Sequence, residues 1–312
     1  MAPGPIGRHS EVAALAEPAA LAGSELRDFW TLLKPNVMQL VVLTGWVGLF
    51  LAPVRLHPLL AFTAILCVAL GAGASAAINN WFDADIDCQM ARTRSRPTAC
   101  GRIDPAEALG TGVALAILSV MTMGLAVNWT AAALLALTIA FYVFVYTMWL
   151  KRRTAQNIVI GGAAGAFPAM IGWAAATGEV GLLPVLLFLI VFFWTPPHFW
   201  ALALYRSGDY ARVGVPMLPV VAGRDTTRRH ILGYTLLLAP LAILPAFLGG
   251  LGVIYGVGAA VLGAGFVALA WKLWRDDSDR TAMLTFRYSL AYLFLLFMLM
   301  VVDHALRTSG GW

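Results

Sequence analysis

The feature that most constrains this chain is a series of nine long apolar stretches that follow a polar N-terminal segment. A helix needs roughly 20 predominantly apolar residues to cross a bilayer. The stretches lie near residues 36–54, 59–82, 106–127, 130–150, 157–177, 181–204, 231–248, 250–273 and 283–306. Only 12% of the 312 residues are charged, whereas globular domains carry about 25%. The sequence therefore predicts an all-α polytopic membrane protein and excludes a soluble enzyme, a disordered chain and a disulfide scaffold.

Basic residues are distributed very unevenly between the two ends of these spans. Of the 21 lysines and arginines, all but Arg55 and Arg307 lie in the N-terminal segment or in alternate loops. Because cytoplasmic loops carry the excess of positive charge, the N-terminus is predicted to be cytoplasmic and the C-terminus to lie on the outer side. We expect a polar cytoplasmic tail at 1–30, one transmembrane domain at 31–306 and a short tail at 307–312.

The remaining composition indicates the cellular membrane in which the chain resides and the kinds of partner that it does not bind. Acids near the N-terminus, among them Glu11 and Asp28, argue against a cleaved signal peptide and a mitochondrial presequence, which favours a bacterial inner membrane. The net charge of +5 is accounted for by the cytoplasmic loops, so no nucleic acid is expected as a partner. The three cysteines, Cys67, Cys88 and Cys100, lack the spacing of a metal site.

The clearest chemical pattern is NNWFDADID at residues 79–87, at the inner end of the second span. Asn79, Asp83 and Asp87 follow one another at intervals of four, so on a helix they share one face. Stacked oxygen donors are unfavourable in a membrane unless a cation satisfies them. Oxygen ligands without cysteine or histidine favour Mg²⁺, which binds through one or two carboxylates and substrate phosphates. A solvated acidic helix end is the alternative.

Basic residues follow these acids and return after the fourth span. The run RTRSRP contributes Arg92 and Arg96, whose guanidinium groups suit the phosphate oxygens that a metal leaves free. Arginines beside acids also form simple neutralising pairs. In the later run KRR, Lys151 follows the span directly and is the better candidate for a phosphate contact, whereas Arg152 and Arg153 are typical of a topology anchor.

Two further residues extend the candidate chemistry to the sixth span. Asp209 lies in the inner loop after that span, where it forms either a second metal or diphosphate contact or a salt bridge with Arg206 or Arg212. His198 lies inside the span itself. An intramembrane histidine is either hydrogen-bonded to a nearby carbonyl, or it contacts a metalloporphyrin or acts as a base. The sequence leaves both choices open.

Glycine and proline also fall inside two predicted spans. The run GGAAGAFP begins at Gly161, and the run WTPPHFW contains Pro196 and Pro197. Small residues permit close helix packing, which we expect for the glycine run. Freed backbone groups are tolerated at membrane depth only where they line a cavity, and we expect the two prolines to mark such a break.

The N-x-x-x-D-x-x-x-D run resembles the first acidic motif of the UbiA-type intramembrane prenyltransferases. The similarity covers roughly residues 30–300, and its later blocks resemble the protoheme IX farnesyltransferase branch of that family. Those blocks are residues 83–97, 146–173 and 193–204, followed by Asp209-Tyr210 and residues 216–220. The order and spacing of the blocks make the resemblance specific.

The resemblance implies nine helices around a central cavity that opens laterally to lipid. It also implies an activity, the transfer of the farnesyl group of farnesyl diphosphate to a vinyl group of heme B, which gives heme O and diphosphate. Mg²⁺ is the implied cofactor, and heme B is a substrate rather than a resident group. Besides the lipid bilayer, the expected partners are the next enzyme of heme A synthesis or an assembly factor of a terminal oxidase.

Ionisation of an allylic diphosphate gives each candidate residue a role. Metal and cationic groups stabilise charge on the leaving oxygen, and aromatic faces stabilise the carbocation. Positions 205 and 213 are Tyr and Val, so Asp209 lacks the paired acid usual in the wider family and a second Mg²⁺ stays open. The candidates are Asn79, Asp83, Asp87, Lys151 and Tyr146 for catalysis; Arg92, Arg96, Lys151 and Asp209 for the diphosphate; Asn79, Asp83, Asp87 and Asp209 for the metal; and His198 and Trp194 for heme.

Two other functions are kept as alternatives. A UbiA-type enzyme that prenylates an aromatic or quinone precursor would use the same metal and diphosphate residues. A secondary transporter belongs to a different class, and transporters place their acids near the bilayer midplane. Here the acids cluster at one face, and the spans are otherwise nearly free of carboxylates, which argues against an ion pathway.

Overall fold

Helices form the framework of the structure, a computed structural model that describes residues 25–309. The helices are α1 (Leu26–Leu32), α2 (Pro35–Phe50), α3 (Pro58–Phe82), α4 (Ala84–Asp87), α5 (Pro105–Thr122), α6 (Trp129–Ala140), α7 (Asn157–Thr177), α8 (Leu182–Tyr205), α9 (Ser207–Arg212), α10 (Leu218–Val221), α11 (Gly223–Leu248), α12 (Val253–Arg275) and α13 (Asp279–Ser309). Two π-helical segments, Met123–Val127 and Phe141–Leu150, continue α5 and α6. Between residues 25 and 309 there is no β-strand, so the predicted all-α class is confirmed.

The long helices account for the predicted membrane spans. Within the described residues, eight are long and apolar enough to cross a membrane, and α1 with α2 makes a ninth if this pair, bent by 55°, counts as one span. The chain is therefore a multi-pass membrane protein. Helix α1 begins at Leu26, inside the predicted N-terminal tail, and α13 continues to Ser309. The domain bounds stay a prediction, and their parts at 1–24 and 310–312 lie outside the described residues.

Local sequence signals set the start of several spans. The side chain of Asp104 accepts a hydrogen bond from the backbone N–H of Ala106, and that of Asn128 accepts one from Ala131. Such residues satisfy N–H groups that have no partner within the helix. Pro105 occupies the first turn of α5, where its missing N–H costs nothing. These capping residues place the starts of α5 and α6.

Glycines set the distance between α2 and α7. A Cβ atom on Gly48 would lie 1.9 Å from the carbonyl oxygen of Ala169, and a Cβ atom on Gly172 would lie 1.9 Å from that of Gly45. No side chain fits in these positions. Small residues therefore let the two backbones touch, the packing mode that membrane helices use in place of hydrophobic burial.

The glycine and proline runs do not interrupt their helices. Both α7 and α8 are continuous, so the break predicted at Pro196 and Pro197 is wrong. These prolines remove two hydrogen bonds, but neighbouring helices compensate for such losses in membranes, and α8 packs along α7, α11 and α13. The close packing predicted for the glycine run is confirmed at Gly161, where a Cβ atom would lie 2.3 Å from the ring of Tyr146.

Two charged residues, rather than the prolines, interrupt the helical structure. Asp83 separates α3 from α4 in a non-helical conformation. Lys34 separates α1 from α2 with a φ of 54°, and among the described non-glycine residues it is the one with positive φ. A left-handed conformation costs about 1–2 kcal/mol, so other contacts must hold it. Asn79 hydrogen-bonds to both Lys34 and Asp83, which brings the two breaks together.

A buried acid in the last span is an exception to the expected scarcity of carboxylates. Asp303 of α13 accepts hydrogen bonds from the backbone N–H groups of Gly252 and Tyr255, at 2.5 and 3.2 Å. These donors are the N-cap residue of α12 and a residue of its first turn, where the helix itself offers no acceptor. Asp303 therefore caps α12 from the neighbouring helix, which is a structural role.

Candidate active site

A cavity of about 550 Å³ lies among α2, α3, α7, α8, α13 and the π-helical end of α6. Ligand pockets typically enclose about 300–1,000 Å³. Most of the lining is apolar, but it includes Asn79 and a group of charged side chains. The charged lining residues are Lys34, Asp87, Arg92, Arg96 and Lys151. The cavity thus joins a charged cluster to an apolar volume.

Asn79 is the central residue of the charged cluster. It is buried near the end of α3, and its Nδ2 donates to Oδ2 of Asp83 at 2.6 Å and to Oγ1 of Thr147 at 3.3 Å. Its Oδ1 accepts a hydrogen bond from Nζ of Lys34 at 2.8 Å. The amide therefore orients an acid and a base at once, and its oxygen is occupied by the lysine.

Asp83 is fully buried, and only one of its two oxygens is hydrogen-bonded. Its Oδ2 accepts from the ammonium of Lys151 as well as from Asn79. Its Oδ1 is buried and has no hydrogen-bond partner among the described residues, and Nη2 of Arg152 is 3.5 Å away. An unsatisfied carboxylate oxygen is costly to bury, so this atom is a candidate ligand for a cation.

Asp87 lies on the short helix α4 rather than on a continuation of α3. The four-residue spacing of Asn79, Asp83 and Asp87 is nevertheless kept. The backbone N–H of Asp83 bonds to the carbonyl of Asn79 at 3.0 Å, and that of Asp87 bonds to the carbonyl of Asp83 at 2.8 Å. Only Asp83 itself, between α3 and α4, departs from helical geometry. Asp87 lines the cavity and forms an ion pair with Arg96. Lys34 interacts electrostatically with both Asp83 and Asp87, so the two acids belong to one cluster.

The donor set fits Mg²⁺ only if a substrate supplies further ligands. Among the described residues, no group of three or more His, Cys, Asp or Glu side chains could hold a metal. Mg²⁺ commonly binds one or two carboxylates and takes its other ligands from phosphates and water. Asp83, whose Oδ1 makes no hydrogen bond among the described residues, and Asp87, at the cavity wall, are carboxylates of that kind.

The basic run after the fourth span divides between the cavity and the break beside Asp83. Lys151 lines the cavity and donates to Asp83. Arg152 instead holds both oxygens of Asp85 at 2.7 Å, donates to the carbonyl of Phe82 at 2.9 Å and lies over its ring. The hydrogen-bonded guanidinium lowers the pKa of Asp85 below its ordinary value. Arg152 thus links Phe82 and Asp85, which lie on either side of the helix break, and Lys151 is the cation that faces the cavity.

Asp209 is not brought into this cluster. It lies on α9, and its nearest basic group is Nη1 of Arg206 at 3.9 Å. The salt-bridge alternative is therefore the contact that the structure contains. Tyr210, the next residue, lines the cavity instead. Participation of Asp209 in metal or diphosphate binding stays a prediction.

Aromatic rings form part of the cavity wall beyond the charges. Tyr142 and Tyr146 lie on the π-helical end of α6 with ring centroids 5.2 Å apart. The wider π-helical turn is frequent at functional sites. This segment ends with the backbone N–H of Lys151 bonded to the carbonyl of Tyr146 at 2.9 Å. The two tyrosines and Lys151 therefore reach the cavity from one irregular segment.

The predicted heme-contact residues share a second part of the lining. His198 is buried, and its ring stacks on Trp194 with centroids 4.2 Å apart and on Phe286 with centroids 4.7 Å apart. All three residues line the cavity. Nδ1 of His198 is 2.7 Å from Oγ of Ser289. An organised aromatic wall thus accompanies the charged cluster in a single cavity.

Comparison with known protein families identifies the family of proteins in which such a cavity occurs. Residues 41–300 match the model of the UbiA prenyltransferase family. The chain belongs to the UbiA prenyltransferase family. This match confirms the resemblance seen in the acidic motif. It covers the predicted spans from residue 41 to residue 300, so only the start of the first span and the end of the last span lie outside it.

Curated relatives place the chain in one branch of the UbiA family. A protein of Parvibaculum lavamentivorans, named protoheme IX farnesyltransferase, is 60% identical over 91% of this chain and 91% of its own length. A protein of the same name from Acidiphilium cryptum is 58% identical over 91% of this chain and 93% of its own length. The similarity is close along nearly the whole of each protein.

Solved structures of UbiA-type proteins share the fold at lower identity. A structure of digeranylgeranylglyceryl phosphate synthase superposes with a TM-score of 0.75 at 20% identity, over 89% of this chain and 98% of its own. A UbiA homolog of Archaeoglobus fulgidus, bound to GPP and Mg²⁺, has a TM-score of 0.65 at 18% identity, over 88% of this chain and 99% of its own. The predicted UbiA-type fold is confirmed.

The UbiA-family cavity contains residues that the sequence did not single out. Lys34 was counted only among the basic residues of the N-terminal segment, although a lysine directly before Pro35 marks a helix start beside the membrane. Tyr142, four residues before Tyr146, has the spacing of a shared helical face. Ser289 carried no sequence signal at all. Its contacts to α8 arise only when α8 and α13 pack together.

Proposed function

We propose that this chain transfers the farnesyl group of farnesyl diphosphate to a vinyl group of heme B, which gives heme O and releases diphosphate. Curated relatives 60% and 58% identical over most of the chain bear the name protoheme IX farnesyltransferase. The observation that carries the proposal is the buried carboxylate of Asp83, whose Oδ1 makes no hydrogen bond among the described residues, beside a cavity that is charged in one part and apolar elsewhere. Such a cavity suits an isoprenoid diphosphate.

Asp83 and Asp87 would hold the Mg²⁺ of this reaction. When bound, the metal supplies a positive charge that stabilises the diphosphate as it leaves. A UbiA homolog of Archaeoglobus fulgidus has been solved with GPP and Mg²⁺, which supports the use of a divalent metal. The amide oxygen of Asn79 would become a further ligand if the hydrogen bond that it accepts from the Lys34 ammonium were broken.

The basic residues of the cavity would then change partners. Lys151 and Arg96 are paired with Asp83 and Asp87 in the structure. With a metal held by those acids, both cations would be available to contact the diphosphate oxygens, together with Arg92. Each acid is thereby paired at every stage, so no charge is left exposed to the low dielectric of the membrane.

The apolar part of the cavity protects the reactive carbocation. Water is disfavoured beside the aliphatic and aromatic lining, and its exclusion prevents hydrolysis of the intermediate. The ring faces of Tyr142 and Tyr146 can stabilise the positive charge through their quadrupoles. The catalytic role predicted for Tyr146 is thus to stabilise charge rather than to transfer a proton.

The cellular setting follows from the same reasoning. The charged cluster includes residues of the basic loops after α4 and after the π-helical end of α6, and basic loops face the cytoplasm. We propose that the protein lies in a bacterial inner membrane with a cytoplasmic N-terminus. Farnesyl diphosphate, which is anionic, would enter from that side, and heme B would enter from the lipid.

The proposal is tested in membranes that contain the protein, supplied with heme B, farnesyl diphosphate and Mg²⁺. Wild-type membranes should produce a heme heavier by a hydroxyethylfarnesyl group, and Asp83→Asn should abolish the product. Asp225→Asn removes an exposed acid on α11 and should leave turnover unchanged. Full activity of Asp83→Asn would overturn the metal assignment. Altered quinones with an unchanged heme pool in a deletion strain would favour the quinone-precursor alternative.

A further inference from the structure

Ser289 of α13 fixes two aromatic side chains of α8 at the cavity wall. Its carbonyl oxygen accepts a hydrogen bond from Nε1 of Trp194 at 2.8 Å. Its hydroxyl oxygen is 2.7 Å from Nδ1 of His198 and 2.6 Å from the carbonyl oxygen of Phe286. One small residue therefore holds the two rings that stack on each other with centroids 4.2 Å apart.

These two short contacts of the hydroxyl determine the position of the histidine proton. A serine hydroxyl carries one hydrogen, and a carbonyl oxygen can only accept. The separation of 2.6 Å between Oγ and the Phe286 oxygen is that of a hydrogen bond, so the hydroxyl hydrogen lies between them. Nδ1 of His198 must then donate its own hydrogen to the Ser289 oxygen. The imidazole is consequently the Nδ1–H tautomer, assigned here from its hydrogen-bond network.

The other ring nitrogen is left with a free lone pair. Nε2 of His198 has no hydrogen-bond partner within residues 25–309, and the residue lines the cavity. A metal-bound histidine almost always donates its second ring N–H to an oxygen acceptor, which orients the ring and fixes its tautomer. His198 and Ser289 already have that arrangement, although no metal is part of it.

We infer that Ser289 presets His198 as an axial ligand for the iron of the heme substrate, with Nε2 as the donor atom. The inference rests on the proposed function, because it requires heme in this cavity. The step is a coordination in which Nε2 donates its lone pair to iron and no proton is released. Ser289 acts as a positioning residue, since it touches the ligand and not the heme.

A general-base role for the same nitrogen is less well supported by the surroundings. A base at Nε2 would take up a proton and become an imidazolium in a buried site. Trp194 and Phe286, which stack on the ring, offer no acceptor for that proton. Iron ligation avoids a buried charge on the ring, and neutral imidazole is a common heme ligand.

The test is spectroscopic and uses the full-length protein in detergent or nanodiscs, titrated with heme B. Histidine labelled with ¹⁵N should give hyperfine coupling to ferric iron in the wild type, and the coupling should disappear in His198→Ala. Added imidazole should restore a nitrogen-ligated optical spectrum in that variant. Ser289→Ala should weaken heme binding about tenfold, the lower end of the range for a lost partner of a metal-bound histidine, and Ser289→Thr should recover it.

Thr285→Val is the matched control. Thr285 is also buried in α13, and its hydroxyl also donates to a carbonyl one turn earlier, but it makes no hydrogen bond to α8. This variant should leave heme affinity and the optical spectrum unchanged. An equal loss of affinity in Thr285→Val and Ser289→Ala would overturn the positioning role.

The outcomes separate this inference from the proposed function. If wild-type membranes make heme O but the bound heme shows no coupling to labelled histidine, the ligation is refuted while the function stands. If His198→Ala keeps the coupling, another histidine is the ligand and the inference is again refuted. If the wild type neither binds heme nor alters the heme pool, the proposed function fails first. Loss of turnover in His198→Ala without any coupling in the wild type would indicate the general base.

Discussion

The ammonium of Lys34 donates a hydrogen bond to Oδ1 of Asn79 at 2.8 Å, across 45 positions of sequence. The lysine adopts a left-handed backbone conformation at the bend between α1 and α2. Its contact fixes the orientation of the amide, whose Nδ2 then donates to Asp83. A strained residue at one helix break therefore organises the acid at the other.

Replacement of this lysine is expected to impair the use of the prenyl diphosphate. Hydrogen bonds to charged groups contribute about 1.5–3 kcal/mol, so Lys34→Met should lower kcat/KM for farnesyl diphosphate by roughly 10–100-fold at about 1.4 kcal/mol per factor of ten. Steady-state kinetics at saturating heme B measure the effect. Arg27→Met, an exposed cation on α1, is the control and should behave as wild type. Equal kinetics for both variants would contradict a role for Lys34.

The contact between α2 and α7 predicts a sharp difference between two glycines. A Cβ atom on Gly172 would collide with a backbone carbonyl, whereas one on Gly233 of α11 would meet nothing within 4 Å. Gly172→Ala should lower the free energy of unfolding by at least the 1–3 kcal/mol typical of overpacking. Gly233→Ala should raise it by about 0.5–1 kcal/mol, since alanine favours helix. Thermal unfolding in detergent compares the two, and similar melting temperatures would refute the close packing.

Because Asp303 caps α12, its replacement should lower the stability of the protein without lowering its enzymatic activity. Asp303→Ala leaves the N–H groups of Gly252 and Tyr255 without their acceptor, which should cost about 0.5–2 kcal/mol. Asp303→Asn keeps one acceptor and should cost less. Differential scanning fluorimetry measures stability, and turnover per folded protein serves as the second readout. A selective loss of turnover would show that Asp303 belongs to the reaction.

The ion pair of Asp85 with Arg152 predicts a dependence of stability on pH. The guanidinium lowers the pKa of Asp85 from its ordinary value of 3.8, so the folded protein binds that proton more weakly than the unfolded chain. The stabilisation is present above the unfolded pKa and is lost as the pH falls through the lower, folded pKa. The difference in melting temperature between wild type and Asp85→Asn should be constant near neutrality and shrink below 3.8.

Arg152→Gln supplies the control for that titration. It removes the group that holds both oxygens of Asp85, so its stability relative to Asp85→Asn should lack the acid-dependent component. Detergent-solubilised protein, scanned from neutral pH to about pH 3, gives both curves. Parallel curves for wild type and Arg152→Gln would contradict the assignment of the shift to this arginine.

Much of the candidate site could be predicted from local patterns in the sequence. The acids of residues 79–87 and the cations Arg92, Arg96 and Lys151 were identified because their residue types and spacing suit a metal and a diphosphate. Periodicity did not predict that α3 ends before Asp83, although backbone hydrogen bonds keep the four-residue spacing of the acids there. The break predicted at Pro196 was wrong, since packing against three neighbouring helices sustains α8.

The sequence by itself determined the membrane-spanning helices and the chemical character of the acidic motif. Within the described residues there are eight such spans, or nine if α1 and α2 count as one. These properties depend on hydrophobicity and spacing over a few turns, and a bilayer permits few alternatives to a helix. Only the tertiary structure decided which cation each acid meets, and that His198 lies against Ser289, 91 positions later in the chain. Those pairings join helices distant in sequence, and the register in which the helices pack is set by the shape of all their side chains together.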